Sequence, residues 1–250
     1  MSCRRAFAAV LLAWLGSGIA QAGEVHVAVA ANFAAPMARI AAAFTAATGH
    51  AVKLSFGATG KLHAQIVAGA PFELLLAADD ETPRRLVDEG HAIGASRFTY
   101  ATGRLVLWST TPGFVDAQGA VLASGRFAHL AIANPKVAPY GRAAMEVLRA
   151  RGLADALAAK LVTGESIAQA FQFVATGNAE LGFVALSQAQ VPGKPASGSM
   201  WRVPESLHAP ILQDAVLLKP GESNPAAAAL LAYLKSAPAL EVIRAFGYGP

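Results

Sequence analysis

The sequence predicts an α/β fold, and three observations carry that expectation. Short β-like apolar runs alternate with stretches of helical periodicity along nearly the whole chain. Strands separated by helices call for mainly parallel sheets with helices on both faces. The composition, rich in Ala and Val and only 14% charged, suits extensive packing of helices on sheets.

Val25-His26-Val27-Ala28-Val29 reads as the first strand. Phe33, Met37, Ile40 and Phe44 then recur at helical spacing, and Gly49 is the expected C-cap. Val52, Leu54 and Phe56 alternate as a second strand, followed by Gly57-Ala58-Thr59-Gly60 and a helix from about Lys61 to Ala68. Leu74-Leu75-Leu76 is a short buried strand, and a helix surrounds Pro83 to Glu89. Leu105 to Trp108, Leu130 to Ala133 and Leu181 to Val184 read as further strands. Helices are expected near Gly141–Arg151 and Ser166–Thr176, and Val191 to Ser199 is a polar loop. The C-terminal part, Ala215 to Leu218 and then Asn224 to Phe246, reads as one strand and two helices. That is too little for a domain, so it is expected to return and complete the N-terminal sheet.

The N-terminus has the anatomy of a secretory signal peptide. Arg4 and Arg5 precede an apolar run from Ala6 to Leu15, and Ala20-Gln21-Ala22 is a small-x-small cleavage pattern. The run is too short to span a bilayer, so an exported, periplasmic chain starting at Gly23 is expected. Cys3, the one cysteine, lies inside residues 1–22 and would leave with them. The remaining chain then holds no disulfide, thiolate nucleophile or cysteine metal ligand. Loss of Arg4 and Arg5 takes the formal charge from +4 to +2, without the clustered basic face of a nucleic-acid binder.

Three loops share one property: a strand ends, small or hydroxyl residues follow, and a helix begins. They are Ala30-Ala31-Asn32, Gly57-Ala58-Thr59-Gly60 and Asn134 to Gly141. Gly164-Glu165-Ser166-Ile167 opens a helix with no obvious strand before it. Ligands of open α/β sheets sit beyond the carboxyl ends of strands, where helix N-termini present unpaired N–H groups to an anion. Taken singly, Asn32 and Thr59 are good helix caps. Taken together, the openings form an array of neutral donors suited to an oxyanion carrying little proton.

Other chemistries fare worse. Ser55 to Leu62 lacks the first Gly and the final Ser/Thr of a phosphate-binding P-loop. Gly164-Glu165-Ser166-Ile167-Ala168 falls one residue short of a nucleophile elbow, and a secreted serine hydrolase would need His208 as base with no Asp before it in the expected order. The six histidines show no metal-ligand spacing. Tyr100 and Tyr140 could serve a ferric site but have no clear third partner; Tyr140 as a phenolic donor is more economical.

The ordered set of motifs resembles the periplasmic molybdate-binding proteins over essentially the whole mature chain. It comprises Ala28-Val29-Ala30-Ala31-Asn32-Phe33, Ser55 to Leu62, Ala68-Gly69-Ala70-Pro71-Phe72-Glu73, Ala77-Ala78-Asp79, Ala133-Asn134-Pro135, Ala138-Pro139-Tyr140-Gly141, Asn178 to Val184, and Ile243 to Tyr248. The resemblance implies a type II periplasmic-binding fold, with lobe 1 over residues 23–102 plus 212–250, lobe 2 over 103–211, and an anion in the cleft between them. It implies a monomer, not an enzyme, that delivers molybdate and tungstate to an inner-membrane ABC permease, with sulfate as the alternative anion. It further implies no cofactor and no direct metal ligand, the oxyanion being held through its oxygens. By position, Asn32 is the first-loop contact with Ala31 beside it contributing backbone. Thr59 supplies a hydroxyl and an N–H, Tyr140 the third-loop contact, and Ile167 a backbone N–H. Many members have Ser at the positions of Asn32 and Thr59, and a Tyr where this chain has Ala185; Tyr140 is then expected to supply the phenol from another place.

Overall fold

The computed structural model describes residues 22–195 and 197–249; of the expected leader, residues 1–22, only Ala22 falls within them. Ten strands are found among these residues: β1 (Glu24–Ala30), β2 (Ala51–Gly57), β3 (Leu74–Leu76), β4 (Phe98–Gly103), β5 (Leu105–Ser109), β6 (Leu130–Ala133), β7 (Leu161–Gly164), β8 (Leu181–Ala185), β9 (Ser199–Arg202) and β10 (Ile211–Leu217). The α-helices are α1 (Ala34–Thr48), α2 (Thr59–Val67), α3 (Glu81–Asp88), α4 (Val121–Ser124), α5 (Pro139–Ala150), α6 (Ala154–Leu157), α7 (Ile167–Ala175), α8 (Leu186–Ala189), α9 (Pro225–Tyr233) and α10 (Ala237–Ala245).

The strands form two five-stranded sheets, ordered β2-β1-β3-β10-β4 and β7-β6-β8-β5-β9. Each sheet is the centre of one lobe, and the chain passes between lobes twice, at Arg104 between β4 and β5 and again just before β10. The sheets are mixed rather than mainly parallel. β1 is parallel to β2 and β3, but β10 runs antiparallel to β3 and β4, and β5 antiparallel to β8 and β9. The reason is topological. β5 and β10 each follow a crossover, and each enters its sheet from the opposite end to the strands of the βαβ units.

Local chemistry explains the elements. In β1 the side chains of Val25, Val27 and Val29 are fully buried, facing α1 through Phe33, Met37, Ile40 and Phe44. The other face of the same sheet, from Ala28, Leu75 and Val216, packs against Leu62, Ile66 and Leu86 of α2 and α3. Lobe 1 is therefore a three-layer sandwich. α9 starts with Pro225 at its first turn and Asn224 capping the Ala226 N–H at 2.9 Å. This C-terminal segment packs on the lobe 1 core through Leu230, Leu234, Ile243 and Phe246. The lobe 2 core continues through the junction, since Ala30, Ala31, Ala58 and Ala78 of lobe 1 pack on it.

Candidate oxyanion site

Four strand-to-helix turns meet where the lobes touch: the end of β1, the β2–α2 turn, the start of α5 and the β7–α7 turn. They surround a small cavity lined by Ala31, Asn32, Thr59, Tyr140 and Ile167. Small residues complete the wall: Ala30, Gly57, Ala58, Ala78, Ala138 and Pro139. All five positions read from the sequence thus line one cavity, and no charged side chain lines it.

Thr59 and Asn32 are not helix caps. Thr59 is the first residue of α2, whose cap position is Ala58, and Asn32 sits within a 3-10 turn, Ala31–Phe33, that has no side-chain cap. Thr59 Oγ1 instead accepts a hydrogen bond from the Ala78 N–H at 3.0 Å. That contact occupies an acceptor lone pair and leaves the hydroxyl hydrogen to be donated. First-turn N–H groups at Thr59, Tyr140 and Ile167 have no intrahelical acceptor, and three helix N-termini add positive potential. α5 can bring Tyr140 this close because residue 141 is Gly: a Cβ there would lie 2.2 Å from the Ala133 carbonyl oxygen.

Behind the cavity lies a buried polar network that sequence reasoning missed. Asn32 Nδ2 donates to Gln213 Oε1 and to the Tyr248 hydroxyl, both at 3.0 Å. Gln213 Nε2 donates to Tyr140 Oη at 3.1 Å, and the Tyr100 hydroxyl lies 3.0 Å from both Gln213 Oε1 and the Ala77 carbonyl. Ser187 Oγ donates to the Asn32 carbonyl at 2.9 Å and lies 3.0 Å from Tyr248 Oη. Phe33, next to Asn32, fixes two of the phenols by edge contacts, with ring centroids 4.8 Å from Tyr100 and 5.3 Å from Tyr248. Burial pushes Tyr100, Tyr140 and Tyr248 all above the ordinary phenol range, so each is a neutral hydroxyl.

Asn32 Oδ1 is buried and without a hydrogen bond. A half-turn of the amide alone would set Oδ1 against Gln213 Oε1, so it requires the Gln213 amide to reverse with it, and Nδ2 is then freed for an anion.

Contacts across the cleft hold the lobes closed over the cavity. The Gly60 N–H donates to the Val137 carbonyl at 2.9 Å, and Arg142 Nη2 to Asp79 Oδ2 at 2.8 Å. Lys61 pairs with Glu165 on the opposite lobe. Asn134, in the third sequence loop, closes a turn by accepting from the Lys136 N–H at 3.0 Å. Ser166 caps α7, its Oγ accepting from the Gln169 N–H at 3.4 Å, while the His208 ring bonds the Ala209 carbonyl. Ser166 and His208, the nucleophile and base of a hydrolase, make no hydrogen bond to each other.

The sequence matches the family of bacterial extracellular solute-binding proteins over residues 25–249. It is 60% identical to the molybdate-binding protein ModA of Azotobacter vinelandii, over 96% of each chain. It is 53% identical to that of Rhodobacter capsulatus, over 98% of this chain and 96% of the relative. A solved structure of an Azotobacter vinelandii periplasmic molybdate-binding protein superposes with a TM-score of 0.88 at 42% identity, covering 90% of this chain and 99% of that one. The chain belongs to the bacterial extracellular solute-binding proteins and, within them, to the ModA family of molybdate-binding proteins.

Proposed function

We propose that this chain captures molybdate, and tungstate with it, in the periplasm and delivers it as a monomer to an inner-membrane ABC permease. It acts by binding, without chemical turnover. The observation that carries the reading is a small cavity at the lobe junction whose polar groups are neutral donors contributed by both lobes. A dianion there is held by several charge-assisted hydrogen bonds, each contributing about 1.5–3 kcal/mol net. Family membership supplies the identity of the anion.

Sulfate has the charge and shape of molybdate, so only cavity radius separates them, and the longer metal–oxygen bonds of molybdate need the larger cavity. Phosphate near neutral pH keeps a proton that a donor-lined cavity has little to accept. Titration of the leaderless protein with molybdate, tungstate, sulfate and phosphate, read by tryptophan fluorescence, tests the proposal. One-to-one binding of the first two with little response to the others supports it. Equal sulfate binding would reassign the ligand.

A further inference from the structure

The network behind the cavity converges on one residue with no place in the anion's own shell. Gln213 is fully buried. It lies on β10, the strand through which the chain re-enters lobe 1, beside the register shift between Gln213 and Asp214. Its two amide ends serve different lobes. Oε1 accepts from Asn32 of lobe 1 at 3.0 Å, and Nε2 donates to Tyr140 of lobe 2 at 3.1 Å. The other crossover touches the same point. Gly103 ends β4, and a Cβ on it would stand 2.3 Å from Tyr140 Oη and 2.5 Å from Gln213 Nε2.

We infer that Gln213 is a positioning residue that joins Asn32 and Tyr140, the donors of opposite lobes, across the hinge and sets which of them donates to the anion. This rests on the proposed oxyanion site. The logic is a count of hydrogens. Tyr140 Oη has one, and because Gln213 Nε2 occupies part of its acceptor capacity, that hydrogen can turn either to Tyr248 or to an anion in the cavity. Both Asn32 Nδ2 hydrogens are meanwhile taken, by Gln213 Oε1 and Tyr248. Reversal of the Gln213 amide inverts the assignment. Its Oε1 then takes the Tyr140 hydrogen, its Nε2 supports Asn32 Oδ1, and Asn32 Nδ2 becomes the donor. Both arrangements require the lobes to be closed, since Tyr140 and Asn32 reach Gln213 from opposite sides.

The test is a double-mutant cycle on molybdate dissociation, measured by stopped-flow fluorescence on the leaderless protein. Gln213→Met keeps the volume and removes both amide ends. It is expected to speed dissociation about 10- to 100-fold. Adding Tyr140→Phe should then cost clearly less than Tyr140→Phe costs in the wild type, because Gln213 acts through Tyr140. Gly103→Ala crowds both Tyr140 Oη and Gln213 Nε2, parting the pair from the hinge side, and should reproduce the Gln213→Met effect; it stands in if Gln213→Met fails to fold. Wild-type dissociation in a folded Gln213→Met or Gly103→Ala protein overturns the inference, as do effects of Gln213→Met and Tyr140→Phe that simply multiply. Wild-type protein that binds no molybdate overturns the functional proposal instead, so the two failures are distinguishable.

Discussion

Thr59 Oγ1 receives the Ala78 N–H at 3.0 Å, which fixes a hydroxyl on one side of the cavity with its hydrogen free to donate. The contact pins the first residue of α2 to the loop after β3, so the donor is held before an anion arrives. Preorganisation of this kind lowers the ordering cost of binding. Thr59→Val keeps the shape and removes the hydroxyl. It should weaken molybdate binding about 10- to 100-fold, whereas Thr59→Ser should stay within about threefold of wild type. Titration calorimetry reads both, and an unchanged affinity for Thr59→Val would remove this donor from the site.

Asn32 is 2% exposed and lines the same cavity, so a charge placed there would be poorly screened. Asn32→Asp puts a carboxylate near a dianion; two like charges about 4 Å apart at an effective dielectric of 20 repel by about 4 kcal/mol each. Binding should fall by about a thousandfold or more. The fold should persist, as circular dichroism will show.

Arg142 and Asp79 join the lobes at 2.8 Å, but the Arg142 side chain is 41% exposed. Solvent screening limits such a pair to about 1 kcal/mol or less. Arg142→Ala should therefore raise the dissociation rate only a few-fold, and that difference should shrink in high salt. A hundredfold effect insensitive to salt would mean that Arg142 acts on the anion rather than on closure.

Burial raises the pKa of Tyr100, of Tyr140 and of Tyr248 in the folded protein. Below about pH 10 these phenols are protonated in both states and stability does not respond to them. Above it the unfolded chain ionises and the folded one does not, so the unfolded state binds fewer protons. Each buried phenol then lowers stability by about 1.4 kcal/mol per pH unit, until its folded pKa is reached. Denaturant midpoints should be flat through neutral pH and fall steeply above about pH 10. Tyrosinate absorbance should rise together with unfolding, and early ionisation of all the tyrosines in folded protein would contradict the burial argument.

The parts legible in the sequence are those carried by local pattern. The Val25, Val27 and Val29 alternation and the Phe33–Phe44 face marked β1 and α1, and the small-residue turns marked helix starts whose donors line the cavity. β7 escaped because Leu161–Gly164 is four residues long, only partly buried and polar at Thr163. The direction of β10 escaped because periodicity carries no information about which end of a sheet a strand enters. Gln213, Tyr248 and Ser187 escaped for a third reason. They meet Asn32 across 181, 216 and 155 residues; no short motif marks Gln213 or Ser187, and the motif that ends at Tyr248 does not reveal its partner. Residues that face the ligand sit on recognisable turns, whereas those that hold them are scattered along the chain.

The central claim is that the anion lies between the lobes, in the cavity lined by Asn32, Thr59, Tyr140 and Ile167. Crystals grown with tungstate, measured at the tungsten absorption edge, locate the metal directly by anomalous scattering. The account predicts one strong peak per molecule in the cavity, within hydrogen-bonding reach of those groups through the anion's oxygens. A peak elsewhere, such as the pocket between Arg104 and Arg202 behind the hinge, with the cavity empty, would contradict it.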